Sequence, residues 1–285
     1  MDTIEGHATT AGQPHAFGRY RVTRTLGRGA MGMIYEGTDG RPGERVAIKT
    51  LRSEDLHPSE IHEAIARFRR EAEAGQRLRH PNIVAVHEHG EQGGLAFIVM
   101  EYADGEDLKQ VLARRRLTLQ ETYEVMKQIL VALDYSHSHG VVHRDIKPAN
   151  IMVRPGPRIQ VMDFGIARID SSSLTQAGTV VGTPTHMAPE QLVALPVDAR
   201  ADLWACGVIL YQMLTGVSPF EAPTSAAVMH RVLQSDVAPP SSIDARLSPR
   251  WDDVVRKALA RKPDGRFQSA REFHRALWEA MNAAG

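Results

Sequence analysis

The chain has 285 residues, 42% of them apolar, with 34 Lys plus Arg against 34 Asp plus Glu; this excludes a disordered polyelectrolyte and any overall basic field that would recruit nucleic acid or acidic lipid. Its one cysteine, Cys206, lies in the apolar stretch 203–214, which excludes an intramolecular disulfide and suggests a buried structural thiol in a reducing compartment. No run reaches the length of a membrane span, and residues 1–17 lack an apolar signal core, so a flexible leader on a cytoplasmic chain, or on the cytoplasmic part of a longer one, is expected.

From residue 20 to 102 the apolar residues come in short runs punctuated by glycine, at 20–27, 33–37, 46–51, 83–89 and 95–102, predicting an antiparallel sheet. One helix interrupts them at 59–78, where Ile61, Ile65, Phe68, Ala72 and Leu78 fall near helical spacing and Pro81 follows the end. After a loop at 103–105 the pattern changes to long helices at 119–139, 201–215, 249–259 and 269–281. These elements predict an α+β chain with a leader at 1–17, a small β-rich lobe at 18–102, a larger helical lobe at 103–281 and a tail at 282–285. A crevice at such a join is a common place for a ligand.

Gly27-Arg28-Gly29-Ala30-Met31-Gly32-Met33-Ile34 has the spacing G-x-G-x-x-G, which lets a backbone approach phosphate oxygens closely. A dinucleotide-binding fold needs a helix to open there, but a strand continues from Met33; a glycine-rich hairpin over nucleotide phosphates fits better. Lys49 ends Val46-Ala47-Ile48-Lys49, where its ammonium could neutralise the α- and β-phosphates. That lysine needs a carboxylate to hold it: Glu71 on the 59–78 helix is the first candidate, with Glu63 and Glu73 as rivals.

The strongest block is His143-Arg144-Asp145-Ile146-Lys147-Pro148-Ala149-Asn150, which spaces a carboxylate, an ammonium and an amide as needed to orient a hydroxyl and hold metal. Asp163-Phe164-Gly165 follows a strand-like run at 158–162 and offers a second carboxylate for Mg²⁺. With these motifs in this order, the chain resembles the eukaryotic-like (Hanks-type) protein kinase family from about residue 20 to 277, and the wording of Gly-Arg-Gly-Ala-Met-Gly and Asp-Ile-Lys-Pro-Ala-Asn-Ile-Met is most similar to bacterial members.

The resemblance implies a bilobal kinase fold and a protein Ser/Thr kinase, since Lys147 and Gly182-Thr183 match the Ser/Thr branch. It implies ATP with Mg²⁺ or Mn²⁺ as cofactors and Ser/Thr-bearing proteins as substrates. Asp145 would take the acceptor proton, Lys147 would offset charge on the γ-phosphoryl group, and Asn150 with Asp163 would hold the metal. Lys49 and Glu71 would fix the phosphates. The nucleotide would be bound by Leu26, Gly27, Arg28, Gly29, Gly32, Ile34, Ala47, Met100, Glu101, Ala103, Asp107 and Met152, of which Glu101 to Ala103 form the hinge and Met100 the gatekeeper. Ala188-Pro189-Glu190 closes the activation segment, Glu190 pairs with Arg266 as a buried brace, and Asp202 starts a buried helix. Thr175 and Thr179 are the expected phosphosites, with 171–173 as alternatives, and Arg144 would bind the phosphate. A homodimer formed for autophosphorylation in trans is a further expectation.

Two positions, His186 and Gly75, depart from the family's usual pattern, and Ala149 bears on substrate choice. His186 stands where most relatives place tyrosine, and Ala149 gives no acidic group to attract a basic substrate. Gly75 stands one turn beyond Glu71, where many kinases put an apolar side chain that packs in a column with Phe164 and His143; glycine there suggests a mobile helix. The pairs His87/His89 and His137/His139 lack a third ligand and read as ordinary residues. A pseudokinase would normally have lost Lys49, Asp145, Asn150 or Asp163, and a small-molecule phosphotransferase would lack the Ala-Pro-Glu segment.

Overall fold

The computed structural model of the protein describes residues 14–28, 32–40, 44–51, 58–156, 158–164 and 184–282. These fall into two compact units, one within residues 1–65 and 87–102, the other within 66–86 and 103–285. The architecture is the bilobal kinase fold, with a β-rich small lobe carrying one helix and a larger helical lobe.

The small lobe is built on a six-stranded sheet of order β1-β2-β3-β4-β6-β5, formed by β1 (Ala16–Phe17), β2 (Tyr20–Arg28), β3 (Met33–Thr38), β4 (Arg45–Leu51), β5 (Val86–Gln92) and β6 (Leu95–Glu101). Strands β1, β2, β3, β4 and β6 pair antiparallel in turn. Alternate residues point to opposite faces of a strand, and one face buries Tyr35, Val46, Ile48, Phe97 and Val99 with Phe17 and Tyr20 as the lobe's core. The expected leader ends early: Ala16 and Phe17 pair with Arg21 and Tyr20, and the Phe17 ring packs 5.2 Å from that of Phe97.

The strand expected from residue 83 starts at Val86 instead. Ile83 forms a parallel bridge to Val161, and Val84 N donates to Val161 O at 3.0 Å, so that segment belongs to a different ladder. The expected 59–78 helix is α1 (Pro58–Gln76).

In the large lobe β7 (Glu106–Asp107) leads into α2 (Leu108–Arg114) and α3 (Leu119–Ser138) and forms a three-stranded sheet with β8 (Ile151–Arg154) and β9 (Arg158–Val161), whose Ile151, Ile159 and Val161 share one core with those helices. Helix α3 opens on a capping box in which Thr118 and Glu121 satisfy each other's backbone N–H groups. Beyond lie α4 (Pro189–Leu192), α5 (Arg200–Thr215), α6 (Ser225–Gln234), α7 (Pro240–Ile243), α8 (Pro249–Ala258) and α9 (Ala270–Asn282). Helix α5 buries all but two of its 16 residues, as an apolar sequence without a polar stripe must, and stops at Gly216 in the left-handed conformation (φ 79°). No helix among the described residues is long and apolar enough to cross a membrane.

Candidate active site

On the small lobe, the face of the sheet opposite the core gathers several of the expected nucleotide residues. Ile34 lies across from Lys49, and Lys49 across from Ile98; Ala47 lies across from Met100. Directly opposed residues share a face, and residues two apart on β4 do as well, so Ile34, Ala47, Lys49 and Met100 line one surface. Lys49 is buried there. Gly27 is paired with Ile34, has no positive φ, and a β carbon added to it would meet nothing within 4 Å. Packing among the described residues therefore gives no reason for glycine at this position. Leu26 and Arg28 flank it, both exposed, and Gly32 is buried. Glu101 and Ala103 are half-buried at the end of β6 and just after it. Gly29, Gly165, Thr175, Thr179, residues 171–173, Gly182 and Thr183 lie outside the described residues.

In the large lobe the segment after His143 folds Asp145, Lys147 and Asn150 onto one another. Lys147 Nζ donates to Asp145 Oδ2 at 2.7 Å, and Asn150 Nδ2 donates to the same oxygen at 3.0 Å and to the Asp145 carbonyl at 2.9 Å. The 3-10 turn Pro148–Asn150, with proline in its first position, brings the amide back toward the carboxylate. Met152, on β8, sits across from Asp107 on β7. Asp107 also caps α2, its two oxygens accepting from Gln110 N and Nε2 at 2.7 and 2.9 Å.

What holds this loop is a buried carboxylate 57 residues further along the chain. Asp202, at the start of α5 and 1% exposed, accepts from the backbone N–H of His143 (2.9 Å) and of Arg144 (2.7 Å), and its Oδ2 meets His137 Nε2 at 2.8 Å. Arg144 adopts φ 67°, a conformation that costs a side-chain-bearing residue about 1 kcal/mol or more, and Asp202 fixes it. Gln191 Nε2 adds a bond to the Arg144 carbonyl at 2.8 Å. His137 and Gln191 carry no role in the sequence reading, because each acts on a residue dozens of positions away.

His143 joins the loop to the Asp163 segment. Its Nδ1 accepts from Asp145 N at 3.2 Å, so its Nε2 carries the proton and donates to the Met162 carbonyl at 2.7 Å. Met162 N in turn donates to Asn150 O at 2.9 Å, and Phe164 packs edge-on against the His143 ring at 4.7 Å. Asp163, like Arg144, is held at positive φ, at 60°. Glu71, on α1, is buried at 5% exposure.

The family model described as the protein kinase domain matches residues 20–278 of this chain. The chain belongs to that family. The kinase domain is 43% identical over 264 residues to a probable serine/threonine-protein kinase of Streptomyces coelicolor, and 40% identical over 271 residues to the serine/threonine-protein kinase PknB of Mycolicibacterium smegmatis. Those alignments take in 90% and 92% of this chain but 39% and 43% of the relatives' own lengths. A crystal structure of the PknI kinase domain of Mycobacterium tuberculosis superimposes with a TM-score of 0.75 at 33% identity, covering 96% of this chain and all of that one.

Two further features of the kinase domain concern its 184–190 segment. Glu190 receives a two-pronged ion pair from Arg266, both bonds 2.7 Å, and the guanidinium also donates to the carbonyls of Ala260, Arg200 and Arg261 while lying over the Trp204 ring. All five of its N–H groups are thereby satisfied inside the protein.

The second is His186. Its Nδ1 lies 3.0 Å from Thr185 Oγ1, and its Nε2 is buried without a hydrogen-bond partner among the described residues. Burial pushes its pKa down to about 4, opposed by the nearby Asp145 charge and assisted by that of Lys147. The unfolded chain therefore takes up a proton near pH 6.5 that the folded chain resists until about pH 4, and stability falls as pH drops through that window. His186→Gln is expected to flatten this slope. Melting temperatures measured from pH 7 to pH 4 check it, and equal slopes in both proteins would refute it.

Proposed function

We propose that this kinase domain is catalytically active and transfers the γ-phosphoryl group of Mg·ATP, or Mn·ATP, to serine and threonine hydroxyls of proteins. The observation that carries the reading is the Asp145 carboxylate: Lys147 and Asn150 both bond to its Oδ2, which leaves Oδ1 as the oxygen to receive a proton. The relatives named above are serine/threonine-protein kinases, which supports those acceptors.

The residues fit the nucleotide and its metal. Gly27 leaves open space where a side chain would stand, as a phosphate-binding backbone needs. Asn150 commits its amide N–H groups to Asp145, which puts its amide oxygen on the opposite branch, and with the Asp163 carboxylate this makes an oxygen donor set suited to a hard dication. When bound, Mg²⁺ supplies neutralisation of the phosphate oxygens.

The chain's own work is then positioning and proton transfer. Asp145 Oδ1 accepts the hydrogen bond of the acceptor hydroxyl and takes its proton as the hydroxyl oxygen attacks. Lys147, already beside that carboxylate, offsets charge on the transferring group. Lys49, with Glu71 as its carboxylate, fixes the remaining phosphates. Ile34, Ala47 and Met152 sandwich the base, the Glu101 to Ala103 backbone binds its edge behind the Met100 gatekeeper, and Asp107 lies toward the ribose.

Arg144 supports a regulatory reading. Its Nε is buried and has no hydrogen-bond partner among the described residues, a costly state for a guanidinium. A phosphate on Thr175 or Thr179 would satisfy it, and trans-autophosphorylation within a homodimer would supply that phosphate. Incubation with Mg·ATP is expected to yield phosphothreonine and phosphoserine, including phosphopeptides from residues 170–183. The Thr175→Ala/Thr179→Ala variant is expected to lose activity by about tenfold or more. An active enzyme in which that segment stays unmodified would contradict the regulatory reading, and phosphotyrosine alone would contradict the acceptor class.

A further inference from the structure

The sheet face that gathers Ile34, Ala47, Lys49 and Met100 ends, past Ala47, in an arginine laid on a tyrosine ring. Arg45 stands two residues before Ala47 on β4 and so shares that face, and its guanidinium carbon lies 4.2 Å from the centre of the Tyr102 ring. Val46 pairs with Glu101 in the last rung of the β4–β6 ladder, and one step further in that register Arg45 stands across from Tyr102. The guanidinium and the ring thus continue, as a cross-strand side-chain pair, a ladder whose backbone rungs have ended.

Arg45 is also drawn into place from the strand on its other side. Glu36, opposite Ala47 on β3, is only 9% exposed, and its Oε2 accepts from Arg24 Nε at 2.9 Å and lies 2.7 Å from Arg24 Nη2. Its Oε1 lies 3.9 Å from Arg45 Nη1. A carboxylate with so little access to water needs positive charge beside it, and Arg24 and Arg45 supply it from β2 and β4. One guanidinium therefore answers to a buried carboxylate and an aromatic ring at once.

Tyr102 is half-buried and stands just after β6. The Glu101 carbonyl is joined to its nitrogen and the Ala103 N–H to its carbonyl carbon, so the backbone dihedrals around Tyr102 set the direction of both groups. We infer that Arg45 is a positioning residue for the nucleotide: by seating its guanidinium on the Tyr102 ring, it fixes the two backbone groups flanking Tyr102 in the direction from which they bind the edge of the base. The inference rests on the kinase reading above, in which the Glu101 to Ala103 backbone binds that edge.

A pair of this kind that served the surface alone would leave nucleotide affinity untouched. Arg45→Ala is instead expected to weaken the binding of Mg·ADP by about threefold, measured as Kd by titration calorimetry. It should raise KM for ATP by a similar factor while kcat stays within about 1.5-fold of wild type. Arg45→Lys, which keeps a cation over the ring, is expected to bind Mg·ADP within about 1.5-fold of wild type. In a Tyr102→Leu background Arg45→Ala is expected to cost nothing further, because Arg45 acts through the ring. The inference is overturned, with the kinase reading left standing, by any of three results: equal Kd for wild type and Arg45→Ala, a lysine variant as weak as the alanine variant, or losses that multiply in the double variant. Wild type that binds neither Mg·ADP nor Mg·ATP overturns both.

Discussion

Replacing Asp145 with asparagine is expected to lower kcat for phosphoryl transfer by about 10²- to 10⁴-fold, the usual worth of a positioned general base. The substitution keeps the shape of the side chain and still offers Lys147 one acceptor oxygen, so the loop's internal bonds can largely persist. What it removes is the second oxygen's capacity to take a proton, because an amide nitrogen has no basic lone pair at neutral pH. KM for ATP is expected to stay within about threefold of wild type, since the proposed role sets Asp145 on the acceptor and not on the nucleotide. Steady-state kinetics with a protein acceptor check both quantities. A variant keeping a tenth or more of wild-type kcat would deprive Asp145 of the base role.

The largest effect on stability is expected at the Glu190–Arg266 pair. Arg266 has a fully buried side chain and Glu190 is 5% exposed, so neither charge can turn to water when its partner is removed. Breaking a buried pair from one side costs about 3–5 kcal/mol, which in a chain of this size lowers the melting temperature by roughly 10 °C. The two sides are not equivalent. Glu190→Gln leaves the guanidinium its three carbonyl partners, whereas Arg266→Met strands the Glu190 carboxylate together with the carbonyls of Ala260, Arg200 and Arg261. Arg266→Met is therefore expected to cost more than Glu190→Gln, and the double variant less than the sum of the two. Scanning calorimetry of the three proteins measures this order; a melting temperature within about 2 °C of wild type for Arg266→Met would contradict the account.

Elements with a strong local pattern were legible in the sequence. Helix α5 has to be buried because its 16 residues offer no polar stripe, and Asp145, Lys147 and Asn150 stand close enough along the chain that a single turn brings them together. Strand β1 was not legible, since two residues have no period to detect and Phe17 is explained only by the rings of Tyr35 and Phe97. The start of β5 was misplaced for a related reason. Ile83 and Val84 have the composition of a strand, but their backbone partner is Val161, at a separation of more than 75 residues that no periodicity encodes.

Asp202 and His143 stand in motifs visible in the sequence, but the contacts by which they support the site were not legible, for the same physical cause. Asp202 works by accepting N–H groups from His143 and Arg144, His143 by linking Asp145 N to the Met162 carbonyl, and Gln191 by reaching the Arg144 carbonyl. Each of these contacts involves backbone atoms, which carry no mark in the sequence. Gly75 shows the converse: its identity is visible in the sequence, but its cause is Val86 on another element, whose side chain stands where a β carbon would go.

The most direct test is transfer of labelled γ-phosphate from Mg·ATP to an added protein acceptor, with protein-bound label separated from free phosphate, for wild type beside Asp145→Asn. Label is expected on serine and threonine with wild type and is expected nearly to disappear with the variant, while both bind Mg·ATP. Binding of Mg·ATP by wild type without label on any protein would contradict the kinase reading.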